Sequence, residues 1–95
     1  MIVRFSTAAR ADIHSIYNYI AKDSPEIAAR VVGTIEQSIM RLAKFPLSGR
    51  SGSVDTTREL VIPRLPYIAV YRLVPSTVEI IAVFHAAQDK PRSSF

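Results

Sequence analysis

Residues 66–89 read PYIAVYRLVPSTVEIIAVFHAAQD. Two apolar runs, PYIAVYRLV and TVEIIAVFH, meet at Pro75-Ser76 and are rich in the β-branched and aromatic residues that suit strands. A two-residue turn at Pro75-Ser76 folds them into an antiparallel hairpin and sets Arg72 opposite Glu79, an opposite-charge cross-strand pair. Continued without interruption, that register places Tyr67, Ala69, Tyr71 and Leu73 on one face with Val78, Ile80, Ala82 and Phe84. The other face takes Ile68, Val70, Ile81 and Val83, together with Arg72, Glu79 and His85. Both faces are largely apolar, whereas an antiparallel sheet covered on one side alternates apolar with polar. The expectation is that one face meets the chain's own helices and that a partner chain covers the other.

Working outward, RELVI (58–62) reads as the strand before the hairpin, ended by Pro63. IVRF (2–5) reads as a strand at the start of the chain. Between them lie two helices. Ser6 or Thr7 offers a hydroxyl as N-cap. Ile13, Ile16, Tyr17 and Ile20 then recur at helical spacing, with Arg10, Asp12, His14 and Asn18 expected in water. The break KDSP supplies Ser24 as a second N-cap and Pro25 at the first helical position, where no N–H is needed. Ala28, Val31, Val32, Ile35, Ile39 and Leu42 form the stripe of the second helix. So short a joint predicts an antiparallel helix hairpin. FPLSGRSGS (45–53) ends that helix and reads as a mobile loop. The fold class is therefore α+β, in the order β-α-α-β-β-β, with a helix hairpin packed on a mostly antiparallel sheet. A single domain over residues 1–95 is expected, with the hairpin at about 7–45 and the strand meander at about 58–85.

Composition bounds the function. There is no cysteine, so neither a disulfide framework nor a thiolate metal site is available, which fits a reducing cytosol. MIVRF lacks the pattern of a signal peptide, and no apolar run approaches the roughly 20 residues that cross a bilayer. A cytoplasmic chain without membrane contact is expected. The formal charge of +4 comes from 12 basic and 8 acidic residues spread evenly along the chain. It is not the dense basic stripe of a nucleic-acid binder, and direct sequence-specific binding to nucleic acid is not expected.

The chemistry-bearing motifs are sparse. Walker, dinucleotide and nucleophile-elbow signatures are missing, so no cofactor is expected. His14 and His85 have no second ligand at metal-site spacing, so no metal site is expected. His14 reads as a wet helix residue. His85 is either a general base or a polar strand end. SGRSGS (48–53) has the composition of a phosphate-binding loop and equally of a plain connector. Of the arginines in the second half, Arg72 has Glu79, while Arg58 reads as free for a partner. Tyr67, beside Pro66 at a strand start, is the tyrosine best placed to reach the surface.

Several motifs together resemble a known family. RELVIPRLPYIAVYRL and VEIIAVFHAAQD, with FSTAARADI, YIAKDSP and LAKFPLSGR before them, resemble ParE-type toxins of the RelE/ParE superfamily of bacterial toxin–antitoxin systems. The resemblance runs from Val3 to about Pro91. It implies the same fold, a cytoplasmic toxin, and a cognate ParD-like antitoxin bound in a hetero-oligomer. ParE-like members inhibit DNA gyrase by binding; RelE-like members are ribosome-dependent mRNA endonucleases. Ala86 stands after His85 where an aromatic would serve RNA cleavage, and Ile68 and Val70 are apolar rather than basic, so the gyrase reading is preferred and no catalytic residue is assigned. The gyrase-facing candidates are Arg58, Tyr67, His85, Asp89, Lys90 and Arg92. The antitoxin-facing candidates are Ile13, Tyr17 and Ile35 on the helices and Ile68, Val70, Ile81 and Val83 on the sheet. The alternatives are the RelE-like endoribonuclease and an inactive regulator that only binds its antitoxin. Arg64 and Ala86 replace glycines common in the family, and Lys90 replaces a frequent tryptophan.

Overall fold

A computed structural model describes residues 1–87. The order is β1 (Ile2–Phe5), α1 (Thr7–Ala21), α2 (Pro25–Met40), a 3-10 turn (Arg41–Ala43), β2 (Arg50–Ser51), β3 (Arg58–Val61), β4 (Tyr67–Val74) and β5 (Thr77–His85). The sheet runs β1-β5-β4-β3-β2. β1 lies parallel to β5, and every other pairing is antiparallel. The expected class and order hold, with one addition: β2, inside the stretch read as a mobile loop, pairs Arg50 with Glu59 and Ser51 with Arg58.

The helix starts follow their capping residues. Ser6 accepts from Ala9 N–H to open α1, and Ser24 accepts from Ile27 N–H ahead of Pro25 to open α2. Ile13, Ala28, Ile35, Ile39 and Leu42 are buried as their spacing requires. Ile13, Ile35, Ile39 and Leu42 pack with Ala69, Tyr71, Val78, Ile80 and Val83 into one core between the helices and the sheet. Ala9 is also fully buried. Its single methyl lets the first turn of α1 sit close to the sheet.

The hairpin turns at Pro75-Ser76, and Arg72 faces Glu79 with Nε–Oε1 at 2.7 Å. Beyond Tyr71 the uninterrupted register fails. Tyr71 pairs with Ile80 but Val70 pairs with Ala82, so Ile81 is the extra residue of a β-bulge. A one-residue shift turns every later side chain to the opposite face. Val83 thus joins the helix-side core, and Ala82 and Phe84 move to the second face with Ile68, Val70 and Ile81. His85 lies opposite Tyr67 rather than beside Ile68 and Val70.

The second face is not the open apolar surface expected. Ile68, Val70, Ala82 and Phe84 are 7, 1, 8 and 7% exposed, already shielded within the chain. The same face carries charge farther along. Glu79 bridges Arg72 and Arg4 at 2.7 and 3.2 Å, and buried Glu59 pairs with Arg50 at 3.1 Å. Of the large exposed apolar side chains, Val61 opposite Ile68 and Ile2 opposite Thr77 lie at the margins of this face, and Tyr19, Ile27, Met40, Phe45 and Leu47 lie elsewhere.

Candidate functional site

The rim where β5 ends beside β4 and α1 brings together Tyr67, His85, Asp12 and Tyr19. Tyr67 and His85 are cross-strand partners, their rings edge-to-face with centroids 5.4 Å apart. The chain is held there by Ala86 N–H, which donates to Pro66 O at 2.7 Å. The imidazole Nδ1 accepts from Ala87 N–H at 3.0 Å, so a neutral ring carries its proton on Nε2. Burial raises the Tyr67 phenol above its ordinary pKa, and the Tyr19 phenol near it adds to the rise. Asp12, expected to be wet, reaches across from α1, and its Oδ2 accepts from Val83 N–H at 2.9 Å. Tyr19, Asp12 and Ser15 on α1 face Tyr67, Val83 and His85 across a concavity of about 430 Å³.

Their places at a strand start and a strand end bring Tyr67 and His85 forward in the sequence but give no reason to join them, and the same reading misses Tyr19 and Asp12. The signal available for Tyr19 was its place outside the Ile13/Tyr17/Ile20 stripe, as an aromatic with no core position to fill.

A second concavity of about 420 Å³ lies on the opposite flank of α1. Phe5, Arg10, Ile13, Tyr17, Val32 and Glu36 are among the residues lining it, and the Arg10 guanidinium sits 5.8 Å from the Phe5 ring centroid. Two antitoxin-facing candidates, Ile13 and Tyr17, thus meet in one groove. Ile35 does not reach it: at 0% exposure it is core. Of the sheet candidates, Ile68, Val70 and Val83 are buried, and Ile81, at the bulge, is half-buried.

Arg58 is not the free cation expected. Its Nε donates to Gly49 O and its Nη2 to Leu47 O, each at 3.1 Å. It works with Tyr71, whose hydroxyl accepts from Gly49 N–H at 2.9 Å and donates to Pro46 O at 2.8 Å. The 46–50 segment is therefore pinned to the sheet. Gly52 N–H is likewise spent, on Thr57 O, so SGRSGS has neither glycine amide left for a phosphate. Asp89, Lys90 and Arg92 lie outside the described residues. Among the described residues, no group of three or more His, Cys, Asp or Glu side chains is placed to hold a metal ion, and no helix is long and apolar enough to cross a membrane.

A family model for the ParE toxin of the type II toxin–antitoxin system parDE matches residues 3–90. The chain belongs to this family. Among individual relatives of this ParE-family toxin, "Putative toxin Y4kP" of Sinorhizobium fredii is 43% identical over 90 residues, covering 95% of this chain and 93% of the relative. "Toxin RelE2" of Caulobacter vibrioides is 35% identical over 80 residues, covering 84% and 89%. A chain from the chromosomal ParDE toxin–antitoxin system of P. aeruginosa superposes with a TM-score of 0.81 at 26% identity, over 90% of this chain and 95% of that one. The ParE-family toxin therefore shares both sequence and fold with toxin components of type II systems, and membership supports an antitoxin as its partner.

Proposed function

We propose that this ParE-family toxin acts by binding DNA gyrase and stalling its cleavage–religation cycle, with no catalysis of its own, and that its antitoxin neutralises it by seating on the groove lined by Ile13 and Tyr17. The observation that carries this reading is the extent of its likeness to the ParDE toxin chain, 90% of the molecule at a TM-score of 0.81. The rim chemistry supports it. Phosphodiester cleavage by a ribose 2′-hydroxyl needs a base, an acid and positive charge around the phosphate. Beside Tyr67 and His85 the concavity instead presents the Asp12 carboxylate, which repels a phosphate and suits a protein surface.

The test is direct binding of purified toxin to purified gyrase, with and without saturating antitoxin. Saturable binding that the antitoxin abolishes is expected. No binding at micromolar toxin contradicts the reading.

Ribosome-dependent mRNA cleavage is the second reading. It is favoured by the 35% identity to a relative named Toxin RelE2 and by the Tyr67–His85 ring pair. It requires transcript cleavage in a translation reaction that stops on His85→Ala. On the gyrase reading, transcripts stay intact.

A further inference from the structure

The concavity between α1 and β5 has a composition and a boundary that select its occupant. β1 leaves β5 at the Phe5–Ile80 pair, so beyond Ile80 this edge of β5 is without a strand neighbour among the described residues. It is nevertheless closed to an added strand. Ser6 Oγ donates to Ile81 O at 3.1 Å, and Asp12 Oδ2 accepts from Val83 N–H. What the space admits is a side chain rather than a backbone. Its walls are the rings of Tyr19, Tyr67 and His85, and its charged lining residue is Asp12. Asp12 is half-buried and uses Oδ2 for Val83, which leaves Oδ1 for a ligand. Tyr19 is 72% exposed, a large aromatic surface kept in water with no packing reason. Aromatic faces attract cations, and a carboxylate beside them adds a full opposing charge. Lys22, with Nζ 6.0 Å from the Tyr19 centroid, shows that ring taking a cation from the chain itself without lining the concavity.

We propose that this concavity anchors one basic side chain, an arginine or a lysine, of the gyrase surface gripped by the rim, with Asp12 as its charge partner and Tyr19 and Tyr67 as its walls. The proposal rests on the reading of the rim as target-facing. It explains why an acid sits in the grip of a chain whose net charge is +4: complementarity here is local and opposite in sign to the rest of the surface. It also makes Tyr19 and Asp12 determinants of partner choice, since a hydrophobic or acidic side chain at the same point leaves the carboxylate unmatched.

The test has two arms, so that failure of the pocket and failure of the target reading are told apart. In the first, arginine amide is titrated into the purified toxin and followed through the side-chain resonances of Tyr19, Tyr67 and His85, with N-acetylglutamate as the anionic control. Saturable shifts with arginine amide alone are expected. They disappear in Asp12→Asn, which keeps an oxygen for Val83 N–H and loses the charge, and they weaken in Tyr19→Ala, a change at an exposed position. Absence of shifts, or equal shifts with the anion, overturns the proposal. In the second arm, both variants are expected to bind gyrase at least tenfold more weakly while binding antitoxin as the wild type does. Unchanged gyrase affinity in both variants overturns the assignment. If the wild type takes up arginine amide but does not bind gyrase, the target reading falls, and with it the source given to the side chain.

Discussion

Residue by residue, the sites that depart from a simple pattern have local causes. Arg64 sits at φ 67°, after Pro63 in a turn closed by Leu65 N–H donating to Ile62 O. Left-handed backbone costs an L side chain about 1–2 kcal/mol, and glycine escapes most of it. This is the physical reason that glycine suits the position. Arg64→Gly is expected to stabilise the chain by up to about 1 kcal/mol after the greater unfolded-state freedom of glycine is counted, read as a rise in denaturant midpoint. Glu79 shows the opposite relation between residue and surroundings. The hydrogen bond from Arg72, and then that from Arg4, hold its carboxyl below the ordinary value of 4.5. A folded-state pKa that is depressed adds stability above the unfolded value and loses it as pH falls through the folded one. Glu79→Gln should therefore lower the melting temperature at pH 7, and the gap from wild type should close on acidification from about pH 5 downward. A gap independent of pH would contradict the assignment. Since all three side chains reach solvent, the effect is expected to be modest and to shrink in high salt.

At the scale of elements, the hairpin was legible near its turn because Pro75-Ser76 and the Arg72/Glu79 pair fix the register there. It was not legible beyond Tyr71. Ile80-Ile81 are two identical apolar residues in a row, and nothing in such a pair announces which is the bulge. What holds the bulge is a contact across sequence: Ser6 Oγ donates to Ile81 O while capping α1 through Ala9 N–H. Ser6→Ala removes both bonds and is expected to cost about 1–2 kcal/mol, measured by urea unfolding. A loss within error of zero would show that the bulge holds itself. The 45–53 stretch, expected as a mobile loop, holds β2 for a related reason. Gly and Ser composition signals a loop, but its order comes from Tyr71 and Arg58 bonding backbone groups 9 to 25 residues away. Tyr71→Phe leaves the buried Gly49 N–H and Pro46 O without their shared hydroxyl, at an expected cost of about 1–3 kcal/mol. Faster amide exchange confined first to residues 46–52 should accompany the loss. Gly49 admits no side chain, because a Cβ there would lie 2.5 Å from the Tyr71 hydroxyl.

For the whole molecule, the fold class followed from the order of periodicities, and the family followed from motifs spread along nearly the whole chain. The candidate site was less legible. Tyr67 and His85 were singled out separately, but their meeting depends on the bulge, and Asp12 and Tyr19 join them only because α1 lies across the end of β5. Arg58 left the site because its partners are backbone carbonyls, which no side-chain pattern reveals. The partner was first inferred from an uncovered sheet face, and that premise fails, since Ile68, Val70, Ala82 and Phe84 are buried in the chain itself. The antitoxin is supported instead by family membership and by the ParDE likeness, with the Ile13/Tyr17 groove as its proposed seat. These relations place two concavities on the two flanks of one helix, one proposed for the antitoxin and one for the target. The most direct measurement is a supercoiling assay with purified toxin, gyrase, ATP and relaxed plasmid. The account predicts a dose-dependent loss of supercoiling with accumulation of gyrase-cleaved DNA, reversed by antitoxin. Normal supercoiling at a large excess of toxin would contradict it.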